Sequence, residues 1–387
     1  MPSRYGLCLR RRLLCTLHVA LTATRVLRTG HLSSQYGRLT PEGEPVGDAT
    51  VSCRNVWKVY GPRADRIVGS PDAALSRQEL LEKTGCVAAV RDVSFEVAEG
   101  EVFVVMGLSG SGKSTLVRMI NRLHDPTSGQ VLIDGNDVVQ MDDEHLRDLR
   151  RSKISMVFQH FGLFPHRRIV ENVAFGLEVQ GVEKDERNAK ASEILEVVGL
   201  GGWGNSYPDE LSGGMQQRVG LARALATEPE IMLFDEPFSA LDPLIRRDMQ
   251  DEVLKLQREV KKTMIFITHD LMEALKLGNR IAIMKDGAFV QVGTPEEVVA
   301  HPADSYVADF IRDVPRAHVL TARTIMSPAS GANGQTYGSD ISPDTVVQEL
   351  LPLVVNSDLP LRVTEGDITI GVVDRTAVLT AMLEDAG

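Results

Sequence analysis

The chain has 387 residues, of which 43% are hydrophobic and 25% charged, as in an ordinary globular protein with about two or three domains. Its formal net charge of −11 at pH 7 excludes the strongly basic balance of a nucleic-acid-binding protein, so we expect no nucleic-acid partner. No apolar run reaches the roughly 18 residues that a helix needs to span a bilayer, which excludes a transmembrane helix.

The N-terminal extension, residues 1–48, is predicted to lack a fold of its own. Residues 1–41 carry seven arginines and no acidic residue. The apolar run LLCTLHVALTA at 13–23 follows three arginines, as in the first parts of a secretory signal. The alternatives are a disordered basic tail and upstream sequence translated from a start codon placed too early. Because the chemistry predicted below needs ATP, which secreted compartments lack, the export signal is the least favoured interpretation.

The cysteines predict neither a disulfide framework nor a metal site. Cys8, Cys15, Cys53 and Cys86 show no CxxC or other metal-ligand spacing. A chain of this length needs no disulfides to stabilise its core. We therefore interpret all of them as reduced thiols of a cytosolic protein.

Predicted strands alternate with helices along the middle of the chain. Short apolar runs and alternating patterns predict strands at 50–61, 87–97, 100–107, 154–159, 231–236 and 263–269. A helix is predicted at 113–123, shortly after the third of these strands. The alternation of buried strands with helices indicates an α/β fold in which a parallel sheet is wound with helices.

An insert, residues 62–86, separates the first two predicted strands. Its second half, SRQELLEKTG, has helical spacing. Ser76 is suited to cap the N-terminus of this helix, and Gly85 is suited to end it. We therefore predict a short helix inside the insert.

The motif GLSGSGKS at 107–114 fits the phosphate-binding pattern G-x-x-x-x-G-K-[ST]. It follows a predicted strand and opens a predicted helix, which is the context that this pattern requires. Its glycines let several backbone N–H groups face one anion, and the helix adds its positive end. Lys113 then supplies a charge for the β- and γ-phosphates, and Ser114 supplies a hydroxyl for Mg²⁺. The alternative is a loop that binds nothing, which does not explain why the motif lies between a predicted strand and a predicted helix.

A carboxylate pair, Asp235 and Glu236, ends the predicted strand at 231–236. Mg²⁺ prefers oxygen ligands, and a carboxylate at the end of a neighbouring buried strand completes its coordination. Opposite orientation along a strand aims Asp235 at the metal and Glu236 at the γ-phosphate, where it can orient or deprotonate an attacking water. The alternative is a pair of solvated acids at a strand end.

Taken together, these motifs resemble those of the ATP-binding subunit of ABC transporters, over about residues 49–312. The motifs that carry the resemblance are, in order, GLSGSGKS at 107–114, Gln159 in VFQHFGLFPH, LSGGMQQR at 211–218, IMLFDE at 231–236, SALD at 239–242 and His269 in ITHD. The resemblance implies a P-loop NTPase with a RecA-like core, an antiparallel β subdomain and a helical subdomain at about 160–210.

The segment LSGGMQQR takes its function from this resemblance. In such subunits it caps the nucleotide held by the phosphate loop of a second copy, so a head-to-tail homodimer is implied. Ser212 begins a helix beside Gly213 and Gly214, where backbone N–H groups and the helix dipole can face a γ-phosphate. Met215 stands where glutamine is commoner, and we expect this change to be tolerated because Ser212 and the backbone make the phosphate contact.

Further positions take their roles from the resemblance alone. Tyr60 matches the aromatic residue that stacks on adenine, with a strand aromatic in the core as the alternative. Gln159 matches the residue that senses Mg²⁺ and the attacking water and links to the membrane partner. His269 matches the switch histidine that contacts the γ-phosphate and water, and Asp242 matches the acid that communicates across the dimer.

The complete predicted site combines the motifs with the resemblance. The predicted catalytic residues are Glu236, His269 and Gln159. The predicted ATP-binding residues are Tyr60, Gly107, Ser109, Gly110, Ser111, Gly112, Lys113, Ser114, Thr115, Ser212, Gly213, Gly214 and Asp242. The predicted Mg²⁺ ligands are Ser114, Gln159 and Asp235.

The resemblance also implies partners outside the chain. The helical subdomain presents a groove near HFGLFPH to a permease, and Phe161 and Phe164 are either anchors in that groove or core residues. The resemblance implies integral-membrane permease subunits and an extracytoplasmic substrate-binding protein as partners. It also implies a peripheral position on the cytoplasmic face of the bacterial inner membrane.

Within this family, the chain most resembles the subunits of importers of glycine betaine, proline betaine, choline and related quaternary amines. The insert ends in LSRQELLEKTG as in that subgroup, and FSALDPLIRRDMQDEVLKLQ looks like it nearly throughout. The predicted function is ATP hydrolysis that powers uptake of such an osmolyte or of L-proline. The alternatives are the ATPase of a methionine, other amino-acid or phosphate importer, a soluble ABC ATPase of DNA repair or translation, and an inert nucleotide-binding regulator.

Residues 315–387 are predicted to form a small α+β unit that begins after Pro315. The segment PLRVTEGDITIGVVDRTAVLTAML at 360–383 predicts two strands and a helix. It resembles one cystathionine-β-synthase-type (CBS) regulatory module at most, whereas the subgroup usually ends in a pair. The resemblance implies regulation by ionic strength or nucleotide.

Overall fold

The computed structural model describes residues 49–159, 162–239, 241–328, 336–356, 359–366 and 368–383. The prediction for residues 1–48 and the positions of Cys8, Cys15 and Phe161 lie outside these residues. All of the described residues belong to one compact unit, Asp48–Gly387. Within them, no helix is both long and apolar enough to cross a membrane. Cys53 and Cys86 are buried free thiols, and burial raises the pKa of the Cys53 thiol.

The strands of the described residues form three sheets. They are β1 (Ala49–Tyr60), β2 (Val87–Ala98), β3 (Val102–Met106), β4 (Ser128–Ile133), β5 (Asn136–Asp137), β6 (Ile154–Val157), β7 (Ile231–Asp235), β8 (Thr263–Thr268), β9 (Arg280–Lys285), β10 (Ala288–Gly293), β11 (Ser327–Pro328), β12 (Asp340–Ile341), β13 (Leu361–Glu365) and β14 (Ile368–Val373). The sheet orders are β2-β1-β4-β5, β10-β9-β3-β8-β7-β6 and β11-β14-β13-β12. The predicted strands are therefore confirmed, with ends that differ by up to two residues.

Helices connect and cover these sheets. They are α1 (Arg77–Thr84), α2 (Lys113–Ile120), α3 (Asp143–Ser152), α4 (Ile169–Val173), α5 (Phe175–Val179), α6 (Lys184–Val197), α7 (Gly213–Ala226), α8 (Pro243–Val260), α9 (Leu271–Leu277), α10 (Pro295–Ala300), α11 (Ser305–Ile311), α12 (Ala322–Ile325), α13 (Val347–Asn356) and α14 (Arg375–Leu383). Short 3₁₀ turns occur at Ala64–Arg66, Pro71–Ala74, Pro208–Glu210 and Arg316–His318.

The six-stranded sheet separates two hydrophobic cores. Neighbouring residues of a strand point to opposite faces; in β3, Phe103 and Val105 join one core, whereas Val104 and Met106 join the other. The first core is completed by the antiparallel sheet and α2, and the second by the helices from α4 onward. Because both faces are covered, the strands are apolar at nearly every position, as parallel strands usually are. This continuous burial explains why short apolar runs predicted them correctly.

The parallel order β9-β3-β8-β7-β6 places the carboxyl ends of these strands along one edge. The phosphate loop follows β3, Asp235 ends β7 with Glu236 directly after it, and His269 follows β8. These residues therefore meet at one edge, where ligands bind in open α/β sheets.

A helical layer forms where the helical subdomain was predicted. Helices α4, α5 and α6 all pack against α7. Their contact faces bury Ile169 and Val173 of α4, Leu195 of α6 and Val219 of α7. The cluster begins inside the predicted range 160–210, but α7 extends it to Ala226, because α7 supplies the surface on which the others pack.

The C-terminal residues form the small α+β unit that the sequence predicts. Strands β13 and β14 pair antiparallel, β12 joins β13 in parallel, and α13 packs against α14. The buried core is continuous across Pro315, since Val314 and Leu320 belong to the same cluster as Val363. The CBS-like assignment and the domain boundary at residue 315 stay predictions.

Candidate functional site

The phosphate loop between β3 and α2 has a backbone that only glycine adopts without strain. Gly107, Gly110 and Gly112 have φ angles of 155°, 79° and 111°. A Cβ at Gly107 would lie 2.2 Å from the carbonyl oxygen of Met284, and one at Gly112 would lie 2.0 Å from that of Ala89. These two glycines therefore allow the loop to pack directly against neighbouring backbone.

Lys113 lies beneath this loop. Its side chain is only 4% exposed, and its Nζ donates to the carbonyl oxygens of Gly107 at 2.8 Å and Leu108 at 3.1 Å. Burial lowers the pKa of this ammonium, and the nearby Glu236 and Asp235 carboxylates act in the opposite direction. The loop thus surrounds one poorly solvated cation, which suits the binding of an anion.

A second feature of the loop also fits an anion. The hydroxyl oxygen of Ser111 is buried and has no hydrogen-bond partner among the residues that the structure describes. Buried hydroxyls are nearly always paired, because an unpaired one costs about 1–3 kcal/mol. A phosphate oxygen would accept this hydrogen bond. Residues 108–110 of the loop are exposed, and Ser114 and Thr115 lie half-buried in the first turn of α2.

Asp235 ends β7 directly beside α2. Its side chain is 1% exposed, and its Oδ1 accepts a hydrogen bond from Ser114 Oγ at 2.7 Å. Its Oδ2 accepts from Arg118 Nη2 at 3.0 Å. Arg118 lies four residues after Ser114, on the same face of α2. The paired oxygens of Ser114 and Asp235 are hard donors of the kind that Mg²⁺ prefers, so the residues present fit that ion.

Glu236 does not belong to β7, which corrects one prediction. We expected strand alternation to aim it away from Asp235, but β7 ends at Asp235 and Glu236 has a left-handed φ of 47°. Its N–H donates to the carbonyl of Ile267 at 3.1 Å, and its own carbonyl accepts from Ser239 Oγ at 3.0 Å. These contacts hold an unfavourable backbone conformation, and such strain is typical of functional sites.

The Glu236 carboxylate joins the phosphate loop to β8. Its Oε2 lies 3.1 Å from Nδ1 of His269, and its Oε1 lies 3.8 Å from Nζ of Lys113. The carboxylate is 17% exposed and the imidazole 53%, so the group is reached from solvent on the histidine side. A cation, a carboxylate and an imidazole thus converge at the edge of the sheet, which suits proton transfer beside a bound phosphate.

The segment 211–218 forms a separate part of the predicted site. Ser212 caps α7, and its Oγ accepts from the N–H of Met215 at 3.4 Å. Among the described residues, no hydrogen bond or ion pair links this segment to residues 107–115 of the same chain. A Cβ at Gly214 would lie 2.6 Å from Cγ2 of Ile245, whereas one at Gly213 would meet nothing within 4 Å. The absence of a side chain at Gly213 is therefore not required by the packing of its own chain.

Tyr60 ends β1 and is 41% exposed. Its ring contacts His124 edge-on at 6.4 Å, and Nζ of Lys58 lies 5.1 Å from the ring centre. The alternative that Tyr60 is a core aromatic is therefore wrong. An exposed, tethered ring is available for stacking on a flat ligand.

Gln159, Asp242 and Phe164 make less direct contributions to the site. Gln159 lies two residues after the end of β6, whose last residue, Val157, pairs with Phe234 of β7. Asp242 caps α8 by accepting from the N–H groups of Leu244 and Ile245. Phe164 is half-buried against Phe175, with ring centres 4.6 Å apart.

The structure adds residues that the sequence analysis missed. Arg118 pairs with Asp235, and its position four residues after Ser114 was a readable signal. Glu273 in α9 is a buried carboxyl that accepts from Thr268 Oγ1 at 2.8 Å, directly before His269. Arg77 in the insert reaches the phosphate loop at Gly110. Arg77 had no local signal, because its contact with Gly110 depends on tertiary packing, whereas Glu273 lies only five residues after its partner Thr268.

Comparisons with known proteins agree with this geometry. The family model described as ABC transporter matches residues 90–239. The glycine betaine transport ATP-binding protein OpuAA of Bacillus subtilis is 56% identical over 279 residues, which cover 72% of this chain and 67% of the relative. The trimethylamine N-oxide transport system ATP-binding protein TmoW of Ruegeria pomeroyi is 46% identical over 340 residues, which cover 88% of this chain and 98% of the relative.

A solved structure gives the same result. A dimeric ATP-binding cassette in a post-hydrolysis state, bound to ADP and Pi, superposes with a TM-score of 0.54 at 35% identity. The alignment covers 63% of this chain and 98% of that cassette. The chain belongs to the family of ABC transporter ATP-binding subunits, and its fold is that of a P-loop NTPase.

Proposed function

We propose that this chain is the ATP-hydrolysing subunit of an ABC importer that takes up a quaternary amine osmolyte such as glycine betaine, proline betaine or choline. The position of Glu236, between Lys113 of the phosphate loop and His269 of β8, is the observation that carries the hydrolytic part. The substrate class is supported by the similar proteins, which are ATP-binding subunits of transport systems for betaines and for trimethylamine N-oxide. All of these compounds carry a fully substituted nitrogen.

The nucleotide would lie along the edge of the sheet. Tyr60 stacks on the adenine, the N–H groups of the loop and the Ser111 hydroxyl bind the phosphates, and Lys113 neutralises their charge. Ser114, Asp235 and Gln159 would hold Mg²⁺, which when bound offsets the charge that develops on the β- and γ-phosphates.

Hydrolysis uses Glu236 as the general base. The oxygen of a water forms a bond to the γ-phosphorus while its proton passes to the Glu236 carboxylate. The bond between the γ-phosphorus and the bridging oxygen breaks, and ADP leaves with the electron pair. His269 lies 3.1 Å from Glu236, so it orients the carboxylate and stands beside the departing phosphate.

A homodimer would complete the site. Gly213 has open space where a side chain would project, and it lies at the exposed start of α7 with Ser212. Close approach by a second copy explains a glycine there, which otherwise weakens a helix by about 1 kcal/mol. Leu244 and Met272, next to Asp242 and His269, are 71% and 50% exposed, as expected of apolar residues that another subunit covers.

The permease would bind the helical layer. A cavity of about 330 Å³ opens there, lined by His166, Arg167, Glu171, Ala174, Glu178, Lys184, Arg187 and Asn188. Phe164 contacts Arg167 at its edge, with the guanidinium carbon 5.4 Å from the ring centre. Mixed charges with one neighbouring aromatic ring suit a polar helix of a membrane protein. This contact would hold the subunit at the cytoplasmic face of the membrane, with a substrate-binding protein on the other side.

The test of hydrolysis is Glu236→Gln, which keeps the shape of the side chain and removes the base. We expect ATP turnover to fall by at least about 100-fold while ATP affinity stays within about twofold. ATP should then trap a dimer, visible by analytical ultracentrifugation, with Glu259→Gln, which changes an exposed acid of α8, as the control. Wild-type turnover in Glu236→Gln would remove Glu236 from its role.

The test of substrate class uses the subunit assembled with its permease and binding protein in vesicles. We expect glycine betaine or choline to stimulate ATP hydrolysis and to accumulate inside the vesicles. Stimulation by methionine or phosphate, without any by a quaternary amine, would contradict the substrate class and leave the ATPase assignment intact.

A further inference from the structure

The insert 62–86 is a closed unit mounted on the β1–β2 hairpin. Tyr60 pairs with Val87, so the insert occupies the connection between two paired strands. Its two ends touch, because a Cβ at Gly61 would lie 2.7 Å from the carbonyl oxygen of Gly85. A small hydrophobic core joins it to the hairpin, with Ile67, Leu80 and Cys86 from the insert packed on Val59 of β1 and Ala88 of β2.

Helix α1 is held firmly within this insert. Ser76 and Glu79 form a reciprocal capping box at its start, and Gly85 ends it in a left-handed conformation. Arg91 of β2 donates to the carbonyl of Leu75 at 2.7 Å, one residue before the cap. The first turn of α1, which carries Arg77, is therefore fixed relative to the strands.

Arg77 reaches from this turn to the phosphate loop. Its Nη1 donates to the carbonyl oxygen of Gly110 at 2.7 Å. Together with the bonds from Lys113 to Gly107 and Leu108, this places a cation on three carbonyl groups of the loop. A carbonyl that turned toward a bound phosphate would repel it, so carbonyls held by cations keep the N–H groups available to the anion.

The insert does not need Arg77 in order to stay folded. Its core, the capping box and Arg91 already fix it, and Arg77 itself is exposed. Residues 108–110 of the loop are also exposed, so the loop gains more from the contact than the insert does. The insert begins directly after Tyr60 and returns to the loop through Arg77, and one segment thus connects both ends of the nucleotide site.

We propose that Arg77 is a positioning residue for the phosphates of the nucleotide and that the insert 62–86 is thereby a working part of the ATP site. By holding the Gly110 carbonyl outward it preorganises the loop, and its charge adds to the attraction for a nucleoside di- or triphosphate. This inference rests on the proposed ATPase function.

The experiment compares variants of the full chain by calorimetric titration with ADP and ATP and by steady-state ATP hydrolysis. Arg77→Ala should weaken both nucleotides roughly fivefold and raise KM to a similar extent, with kcat within about twofold. Arg77→Lys keeps the charge but lacks the planar guanidinium, so its nucleotide affinity should lie between those of the wild type and Arg77→Ala. The unfolding midpoint without nucleotide should match the wild type.

Lys83→Ala is the matched control, because Lys83 is a cation of the same helix as Arg77. Its Nζ pairs with Asp72 Oδ1 at 2.6 Å rather than with the phosphate loop. This variant should keep wild-type affinity; an equal loss in Lys83→Ala and Arg77→Ala would assign the effect to net charge and overturn the proposal. Wild-type affinity in Arg77→Ala would also overturn it. Lys113→Ala separates a failure of the Arg77 proposal from a failure of the proposed ATPase function. Unchanged nucleotide binding in Lys113→Ala would refute the proposed function.

Discussion

At the scale of single residues, the backbone conformation at Glu236 decides where its carboxylate, the proposed general base, points. The strand rule places neighbouring side chains on opposite faces, but a φ of 47° turns Glu236 out of that pattern toward His269. The sequence could predict that two acids end β7 and that one of them serves as base. It could not predict the turn, because a left-handed glutamate has no local signature and is held here by contacts from Ile267 and Ser239.

Glu273 gives a residue-scale prediction about pH. Burial raises the pKa of its carboxyl from 4.5 to about 7, with the hydrogen bond from Thr268 acting in the opposite direction. Between these two values the folded chain binds a proton that the unfolded chain has lost. The free energy of unfolding therefore falls as pH rises through this window, by about 3 kcal/mol from this group.

Glu273→Gln should remove this contribution to the pH dependence. We expect the slope of unfolding free energy against pH between about 5 and 7 to flatten, as measured by urea denaturation at several pH values. Glu259→Gln, which changes an exposed acid of α8, serves as the control and should keep the wild-type slope. An unchanged slope in Glu273→Gln would mean that this carboxyl titrates normally.

At the scale of elements, two neighbouring glycines at the start of α7 serve different purposes. Gly214 is required by its own chain, because a Cβ there would overlap Ile245 of α8. A Cβ at Gly213 would meet no atom within 4 Å in the described part of the chain. We expect Gly214→Ala to lower the unfolding free energy by about 1–3 kcal/mol and Gly213→Ala to leave it unchanged or slightly higher.

Gly213→Ala should instead weaken ATP-dependent dimerisation, since its new methyl group would face the second copy. The measurement is sedimentation in the Glu236→Gln background, with thermal unfolding as a check on the monomer. Full dimerisation of the Gly213→Ala protein would show that nothing approaches this position closely.

The strands and helices were predictable where a local apolar pattern in the sequence indicates burial. Strands β3, β7 and β8 are apolar because both faces are covered, and their runs mark them clearly. The helix predicted at 113–123 ends earlier, at Ile120, because Arg122 adopts a left-handed φ of 52° and bonds to the carbonyl of Met141. Apolar spacing continues to Leu123, which is exposed, and spacing alone therefore extended the helix too far.

At the scale of the whole molecule, the exposed apolar residues around the site mark the surface that a second copy would cover. Leu244 is 71% exposed directly after the cap of α8. Leu244→Glu should leave the monomer's unfolding midpoint unchanged while weakening the ATP-trapped dimer at least about tenfold, since a buried unpaired charge is costly. Sedimentation at several protein concentrations measures this.

Val197→Glu is the matched control for this prediction, because Val197 is 49% exposed on α6, in the helical layer. It should dimerise like the parent protein. Equal loss in both variants would indicate a general effect of added charge, and no loss in Leu244→Glu would place the dimer surface elsewhere.

Long-range contacts set the limit of prediction at this scale. Arg77 and Gly110 are 33 residues apart in the sequence, yet they share a hydrogen bond. The motifs predict a set of residues for the nucleotide site, since the chemistry of each motif is local. They could not predict which outside residues support them, because that depends on where the chain brings them.

The two cores on opposite faces of the six-stranded sheet have a mechanical consequence. Helix α2, which follows the phosphate loop, buries Leu116 and Ile120 in the core on one face of the sheet. Helix α7, which begins within the segment 211–218, buries Val219 and Leu221 in the core on the other face. The sheet backbone is what these two halves share. If a partner binds the helical layer, we therefore expect the helices on that face to tilt relative to the sheet while the packing of α2 and the phosphate loop on the other face stays unchanged.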